Sequence, residues 1–234
     1  MKALTAALAG AAALVLGQPA LAQPAALQSG PIQVVELYTS QGCSSCPPAD
    51  LAVAAISARP EILALSFGVT YWDDQGWKDT FAQQAFTDRQ WAYARGLRHN
   101  NVGTPQVVVN GRTDTVGQSV AEIDQALRAA ALPAGGPQVG LTAAEVSVSG
   151  AAPAKSAAVW LVRYDPKVEQ VPVKRGENNG KTLPIKNAVR QLVRLGEWSG
   201  GEKRFALPKG PPDLKAAVLL QAGPGGPILA AAKG

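Results

Sequence analysis

Two cysteines, Cys43 and Cys46, have the residue type and spacing that disulfide chemistry requires, and they are the only cysteines in the sequence. The two residues between them let the sulfurs form a disulfide or remain a dithiol. A disulfide that closes so short a loop adds little stability, because the stabilisation grows with the length of the loop. We therefore expect redox chemistry, with Cys43 as the attacking thiol and Cys46 as the resolving thiol.

The neighbouring residues predict a strand, a turn and a helix that would hold the pair. Residues 32–39 form a β-branched and aromatic run typical of a buried strand. Residues 50–56 have helical spacing that ends before Arg59-Pro60. In such a unit we expect the first cysteine at the exposed end of the turn and the second shielded by the first helical turn. Two roles are open to Ser44 and Ser45, donating hydrogen bonds to a thiolate or capping the helix.

The rest of the first half alternates strand and helix signals. A second strand is predicted at 62–69, a helix from the capping box at Thr87 to about residue 98, and a hairpin around Asn110-Gly111. A last helix begins at the capping box of Ser119. The predicted order is β, α, β, α, β, β, α, with the first two strands parallel.

Residues 133–137, Pro-Ala-Gly-Gly-Pro, mark the clearest boundary in the chain. Beyond them the helical periodicity disappears. We expect a first domain at 32–132, with a helical insertion beside the cysteines, and a β-rich antiparallel module at 138–234. The strand-like runs of this module are 139–148, 157–164, 168–173, 183–195, 203–207 and 215–221, and the run 183–195 is also compatible with a partly helical segment.

The first 22 residues predict a signal peptide for export. Lys2 supplies a positive start, residues 8–16 an alanine-rich apolar core, and Ala20-Leu21-Ala22 a cleavage site before Gln23. No later stretch approaches the roughly 18 apolar residues that a spanning helix needs, so we expect no transmembrane segment after signal removal. The predicted location is periplasmic or secreted, where disulfides persist.

Charge and ligand types argue against several other functions. The formal net charge is +5, but no basic run is interleaved with aromatic residues, so nucleic acid is not an expected partner. With one histidine and no methionine after Met1, a zinc or iron–sulfur site would need ligands from a partner chain. No cofactor is predicted. Two alternatives stay open: a Cu(I)-binding protein that uses both thiolates, and a non-catalytic interaction domain.

Residues 37–46 and 103–111 resemble the two signatures of the thioredoxin and glutaredoxin superfamily. The resemblance implies a thioredoxin-like α/β fold for the first domain and a cis peptide bond before Pro105, lying against the disulfide. It also implies exchange with the thiols or disulfides of exported proteins, with a membrane-bound redox partner for the electrons. The predicted substrate-binding residues are Thr104, Pro105, Ser44 and Ser45.

The sequence departs from thioredoxins around the cysteines. Gly42 stands where thioredoxins have tryptophan, and Pro47-Pro48 follow the second cysteine, so the direction of electron flow stays open. The segments 71–73, 76–79 and 175–178 are similar to those of a closer family, the bacterial secreted thioredoxin-like proteins catalogued as domain of unknown function 1223. That family has no settled activity, so this resemblance supports the fold and the compartment.

Three further polar features are candidates for function. Glu36 lies in the apolar first strand near the position of a buried acid in thioredoxins, where it would take the proton from Cys46, although it could instead face solvent or an arginine. His99 is a candidate ligand or base, or an exposed loop residue. Residues 175–180 form either a polar site or a hairpin loop.

Overall fold

A computed structural model describes residues 30–234 of the chain as a mixed α/β fold. It has one eight-stranded sheet and a second, three-stranded antiparallel sheet. The predicted signal peptide, residues 1–22, lies outside the described residues.

The first part of the described chain follows the predicted order of strands and helices. All of its α-helices, and a short 3₁₀ helix at Thr70–Trp72, precede residue 130. The elements are β1 (Gln33–Thr39), α1 (Pro47–Ile56), β2 (Ile62–Gly68), α2 (Gln84–Gly96), β3 (Gln106–Val109), β4 (Thr113–Thr115) and α3 (Val120–Ala129).

Strands alone make up the regular structure after residue 130, as the loss of helical periodicity predicted. They are β5 (Gln138–Leu141), β6 (Glu145–Ser149), β7 (Ala157–Pro172), β8 (Thr182–Trp198), β9 (Lys203–Ala206), β10 (Lys215–Ala222) and β11 (Ile228–Lys233).

The large sheet runs through both halves of the chain in the order β11-β10-β7-β8-β2-β1-β3-β4. Strands β1 and β2 are parallel, whereas β3 is antiparallel to β1, and β4 to β3. The halves join where Ser66 of β2 pairs in parallel with Ala188 of β8. Strands β7, β8, β10 and β11 therefore extend the sheet of the first half, whereas β5, β6 and β9 form the second sheet. The division into units at 32–132 and 138–234 stays a prediction about independent folding.

Strand β1 is buried on both faces because helices or strands cover each side of the sheet. Val35 and Leu37 point to the side of α1 and α3, where they join a core with Val53 and Ile123. The alternate residues point to the side of α2. There, Tyr38 joins a core that takes in residues of both halves of the chain, among them Phe67, Phe86, Tyr93, Val162 and Leu219.

Two local predictions were wrong and two were confirmed. Helix α2 begins at Gln84 rather than after Thr87, because the Thr87 hydroxyl accepts the amide of Thr70 (3.0 Å) from the preceding 3₁₀ helix instead of capping α2. Residues 183–195 are strand throughout, which confirms the predicted strand over the partly helical alternative. The two short strands expected at 157–173 form one bulged strand instead. The Ser119 cap is confirmed, since its hydroxyl accepts the Glu122 amide (3.2 Å).

Candidate functional site

The cysteine pair lies between the end of β1 and the start of α1. Cys43 and Cys46 form a disulfide with their Cα atoms 5.5 Å apart. Cys46 is the residue before the helix, and its carbonyl accepts the amide of Asp50 (3.1 Å), the first bond of α1. Pro47 fits the first helical position because the amide it lacks has no partner there in any helix. The two prolines therefore do not delay α1, which begins directly after Cys46.

Both cysteines are fully buried, while the two serines between them are exposed. The expectation that Cys43 lies at the exposed end of the turn is therefore wrong for the disulfide form. The sulfur of Cys43 lies 3.3 Å from the Ser45 hydroxyl and 3.7 Å from the Thr104 carbonyl oxygen. Segments remote in sequence fold over the turn, and no local pattern predicts that cover.

The Thr104–Pro105 peptide bond is cis, as the resemblance implied, and it lies beside the disulfide. The Thr104 hydroxyl accepts a hydrogen bond from the indole nitrogen of Trp72 (2.8 Å), which fixes this segment against the loop after β2. The two sequence signatures thus meet in space across the end of the sheet.

A groove of about 660 Å³ runs along the surface next to this contact. Ser45, Thr104 and Pro105 line it, whereas Ser44 does not. Because the sulfur of Cys43 contacts both Ser45 and Thr104, the groove borders the first cysteine. Polar side chains also line it, among them Asn100, Asn101, Gln106, Asp114 and Gln118.

His99 lines the same groove and contacts Asp114. Its Nε2 lies 2.9 Å from an Asp114 carboxylate oxygen, and Gln106 donates to the other oxygen of that carboxylate (2.7 Å). The histidine side chain is 44% exposed. His99 is thus both a loop residue and part of the groove wall.

The loop between β7 and β8, residues 173–181, folds over the cysteine turn; we call it the hairpin loop. Asn178 is completely buried, and its amide donates to the carbonyls of Cys43 (2.8 Å) and Gln41 (3.1 Å). The Glu177 carboxylate accepts the backbone amide of Ser44 (3.0 Å). These contacts make residues 175–180 both the predicted hairpin loop and part of the site.

An apolar cluster holds the hairpin loop in place. Val171, Val173 and Leu183 at the end of the β7–β8 ribbon are buried, and Trp77 and Phe81 pack against them. Trp77 also donates its indole N–H to the side chain of Gln41 (3.0 Å). The segment after β2 therefore bridges the cysteine turn and the hairpin loop.

Glu36 lies on the α2 side of the sheet in a fully buried polar network. Arg89 forms an ion pair with its carboxylate (2.6 Å), and the Tyr93 hydroxyl donates to it (2.6 Å). Burial, with the charge of Glu36 adding to it, raises the pKa of Tyr38 and Tyr93 well above the usual value, so both remain donors. The arginine partner that the sequence left open is present, and no cysteine is among the hydrogen-bond partners of Glu36.

A second buried acid, Asp50, lies one helical turn after Cys46. It is 4% exposed, and neither carboxylate oxygen has a well-formed hydrogen bond within residues 30–234. Burial raises the pKa of Asp50 to about 8, opposed by the nearby Thr39 hydroxyl and reinforced by the charge of Asp79. The sequence analysis missed this residue. Its signal was an acid on the buried face of α1, four positions after Cys46 and three before Val53.

Two kinds of feature are absent from residues 30–234. No three or more histidine, cysteine, aspartate or glutamate side chains are grouped so that they could hold a metal ion. No helix in this part of the chain is long and apolar enough to cross a membrane.

Comparisons with known proteins place the chain among proteins without an assigned activity. The model of a family described as protein of unknown function (DUF1223) matches residues 34–221. No curated protein sequence matches the chain.

Two solved structures are similar to this one. The crystal structure of a structural genomics target from Agrobacterium tumefaciens has 32% sequence identity and a TM-score of 0.70, with 88% of this chain and 95% of that chain covered. The structure of HBP35 of Porphyromonas gingivalis has 14% identity and a TM-score of 0.60, with 88% of this chain and 75% of that chain covered. The second likeness concerns the fold alone.

Proposed function

The chain belongs to the DUF1223 family, and we propose that it is an exported thiol–disulfide oxidoreductase with a thioredoxin-like first domain. The observation that carries the proposal is the position of the disulfide, at the start of α1 and against the cis bond before Pro105, beside an open groove. A disulfide that only stabilised the fold would need neither a groove nor a helix N-terminus.

The arrangement of the first half supports the thioredoxin-like fold. Parallel strands β1 and β2 are joined through α1, and β3 and β4 follow antiparallel on the other side of β1. The cysteine pair directly precedes the helix that connects the parallel strands, and Pro105 directly precedes β3, the next strand to pair with β1. Each signature thus lies at the end of a strand on the same edge of the sheet.

In the reducing direction, the Cys43 thiolate attacks one sulfur of a client disulfide and forms a mixed disulfide, and the other client sulfur leaves as a thiolate. The Cys46 thiolate then attacks the Cys43 sulfur, and the client sulfur that was bound to Cys43 leaves. Two electrons pass to the client, and the Cys43–Cys46 disulfide is restored. The oxidising direction is the reverse, with a client thiolate attacking Cys43 and Cys46 leaving.

Cys46 must lose a proton before it attacks and regain one when it leaves. Asp50 is on the same helix one turn away, and its raised pKa of about 8 is close to that of an ordinary thiol, which suits proton transfer in both directions. The role predicted for Glu36 stays a prediction, since its carboxylate is held by Arg89 and Tyr93.

The clients are thiols or disulfides of exported proteins, and a membrane-bound partner restores the redox state. The groove suits an extended peptide, because its wall offers amide side chains and the partly exposed backbone of residues 103–104 before β3. Export rests on the signal peptide predicted at residues 1–22, and cleavage before Gln23 would be read directly from the mass of the secreted chain.

The test uses two variants of the full chain, Cys46→Ser and Cys43→Ser. After reduction, each is incubated with insulin as a disulfide client, and mixed disulfides are resolved by non-reducing electrophoresis. Cys46→Ser is expected to trap client because attack is intact and resolution is lost, whereas Cys43→Ser traps none. Equal trapping by both variants, or none by either together with stoichiometric Cu(I) on the reduced chain, would overturn the proposal.

A further inference from the structure

The buried side chain of Asn178 attaches the hairpin loop to the cysteine turn. Asn178 has no exposed surface, and both hydrogens of its amide reach the cysteine turn, at the carbonyls of Gln41 and Cys43. The amide oxygen accepts from Lys181 of the same loop (3.0 Å). A buried amide with every bond satisfied fixes the relative position of the two segments.

This attachment places the charge of Glu177 beside the first cysteine. The carboxylate accepts the backbone amide of Ser44, the residue covalently next to Cys43. Hydrogen bonding to Ser44 lowers the pKa of Glu177, so the group is ionised at neutral pH. The carboxylate thus sits at the backbone of the residue that follows Cys43, and a negative charge near a sulfur disfavours its thiolate form.

Other charged groups around the turn do not cancel this effect at Ser44. Asp79, which accepts the amide of Gln41 (2.8 Å) from the segment after β2, brings no positive charge to the turn. Across the groove, Asp114 is engaged by His99. The positive charge of Lys181 is directed to the oxygen of Asn178, on the far side of that side chain from the carbonyl of Cys43.

We propose that Glu177 is a positioning residue of the redox site that destabilises the Cys43 thiolate and thereby makes the pair a better reductant. The inference rests on the proposed function, although its test needs no client protein. A stabilised thiolate favours the reduced form and makes a pair oxidising. A destabilised thiolate has the opposite effect, and it keeps Cys43 a stronger nucleophile once ionised.

The first test measures the redox equilibrium of the full chain against glutathione. Glu177→Gln keeps an oxygen that accepts the Ser44 amide and removes only the charge, and Glu202→Gln is the control because it neutralises another exposed glutamate before β9. Glu177→Gln is expected to shift the equilibrium at least threefold toward the dithiol, which is roughly 14 mV at about 30 mV per tenfold change. The control is expected to match the unaltered chain.

The second test measures the pH profile of Cys43 alkylation in a Cys46→Ser background, with and without Glu177→Gln. The midpoint is expected to move to lower pH when the charge is removed, a change that altered packing alone would not produce. An unchanged potential with an unchanged profile, or a shift toward the disulfide, would overturn the inference. Neither readout uses a client, so loss of client trapping would count against the proposed function only.

Discussion

At the scale of single residues, one buried acid lies in the first strand and another in the first helix, and their surroundings differ. Glu36 is neutralised by Arg89 and held by the hydroxyl of Tyr93. Asp50 is equally buried but has no cation and no well-formed hydrogen bond. A buried acid without a partner costs stability, and such a residue is a candidate for proton transfer.

Asp50→Asn is expected to stabilise the chain in a pH-dependent way. Because the folded pKa of about 8 lies above the ordinary value of 3.8, the folded state holds a proton that the unfolded state releases, and stability falls as the pH rises from 3.8 to 8. The variant removes this loss, so we expect a gain of at most about 6 kcal/mol above pH 8, at about 1.4 kcal/mol per pKa unit, and almost none near pH 4. Urea denaturation across this range measures it, and a gain independent of pH would contradict the assignment.

Glu36→Gln is expected to lower the free energy of unfolding by about 3–5 kcal/mol, because it leaves the buried guanidinium of Arg89 without its counter-charge. In the remaining folded protein we expect the rate of client disulfide exchange to be unchanged, whereas Asp50→Asn should slow resolution by Cys46. Stopped-flow measurement of both variants separates the acids. Slow resolution in Glu36→Gln together with normal resolution in Asp50→Asn would instead support the role predicted for Glu36.

At the scale of elements, sequence patterns correctly predicted the features that depend on residues close together in the sequence. The strand before the cysteines, the cap at Ser119 and the turn at Asn110-Gly111 depend on local periodicity and local hydrogen bonds. The start of α2 was misplaced because Thr87 bonds to Thr70, a partner outside the helix. The hairpin loop was recognised as a loop, but its attachment to the cysteine turn joins segments more than 130 residues apart, which no local pattern encodes.

Asn178→Ala is expected to loosen the hairpin loop from the cysteine turn. The change removes the side-chain donor from the Gln41 carbonyl and leaves the Cys43 carbonyl with the Cys46 amide alone, at a cost of about 1–3 kcal/mol, and it exposes the turn to solvent. We expect lower stability in urea and faster alkylation of Cys43 in the reduced chain. Asn179→Ala is the matched control, since the adjacent side chain is exposed. Equal effects of the two changes would contradict the clamping role of Asn178.

At the scale of the whole molecule, the sheet and its α2-side core join the two halves. Strand β2 has β1 on one side and β8 on the other, and Val162 and Leu219 from the second half pack with Phe67 and Tyr93 from the first. The proline–glycine boundary at 133–137 therefore separates a half with helices and strands from a half with strands alone. The two halves nevertheless pack against each other.

We expect the two halves to unfold together. A fragment of residues 30–137 would expose the edge of β2 and the apolar face beneath α2, so it is expected to be unfolded or aggregated. The full described chain is expected to lose far-ultraviolet circular dichroism and tryptophan fluorescence in a single coincident transition. Two separated transitions, or a soluble folded fragment, would instead support two independent domains.

The indole rings around the cysteine turn give the molecule an optical signal of its own. Trp72 and Trp77 each donate their N–H to a residue that contacts or adjoins the turn, Thr104 and Gln41. A disulfide near an excited indole accepts its electron and quenches the emission, whereas a dithiol quenches less. Reduction of the pair should therefore increase the tryptophan fluorescence, so that the redox state of the protein could be followed without an added label.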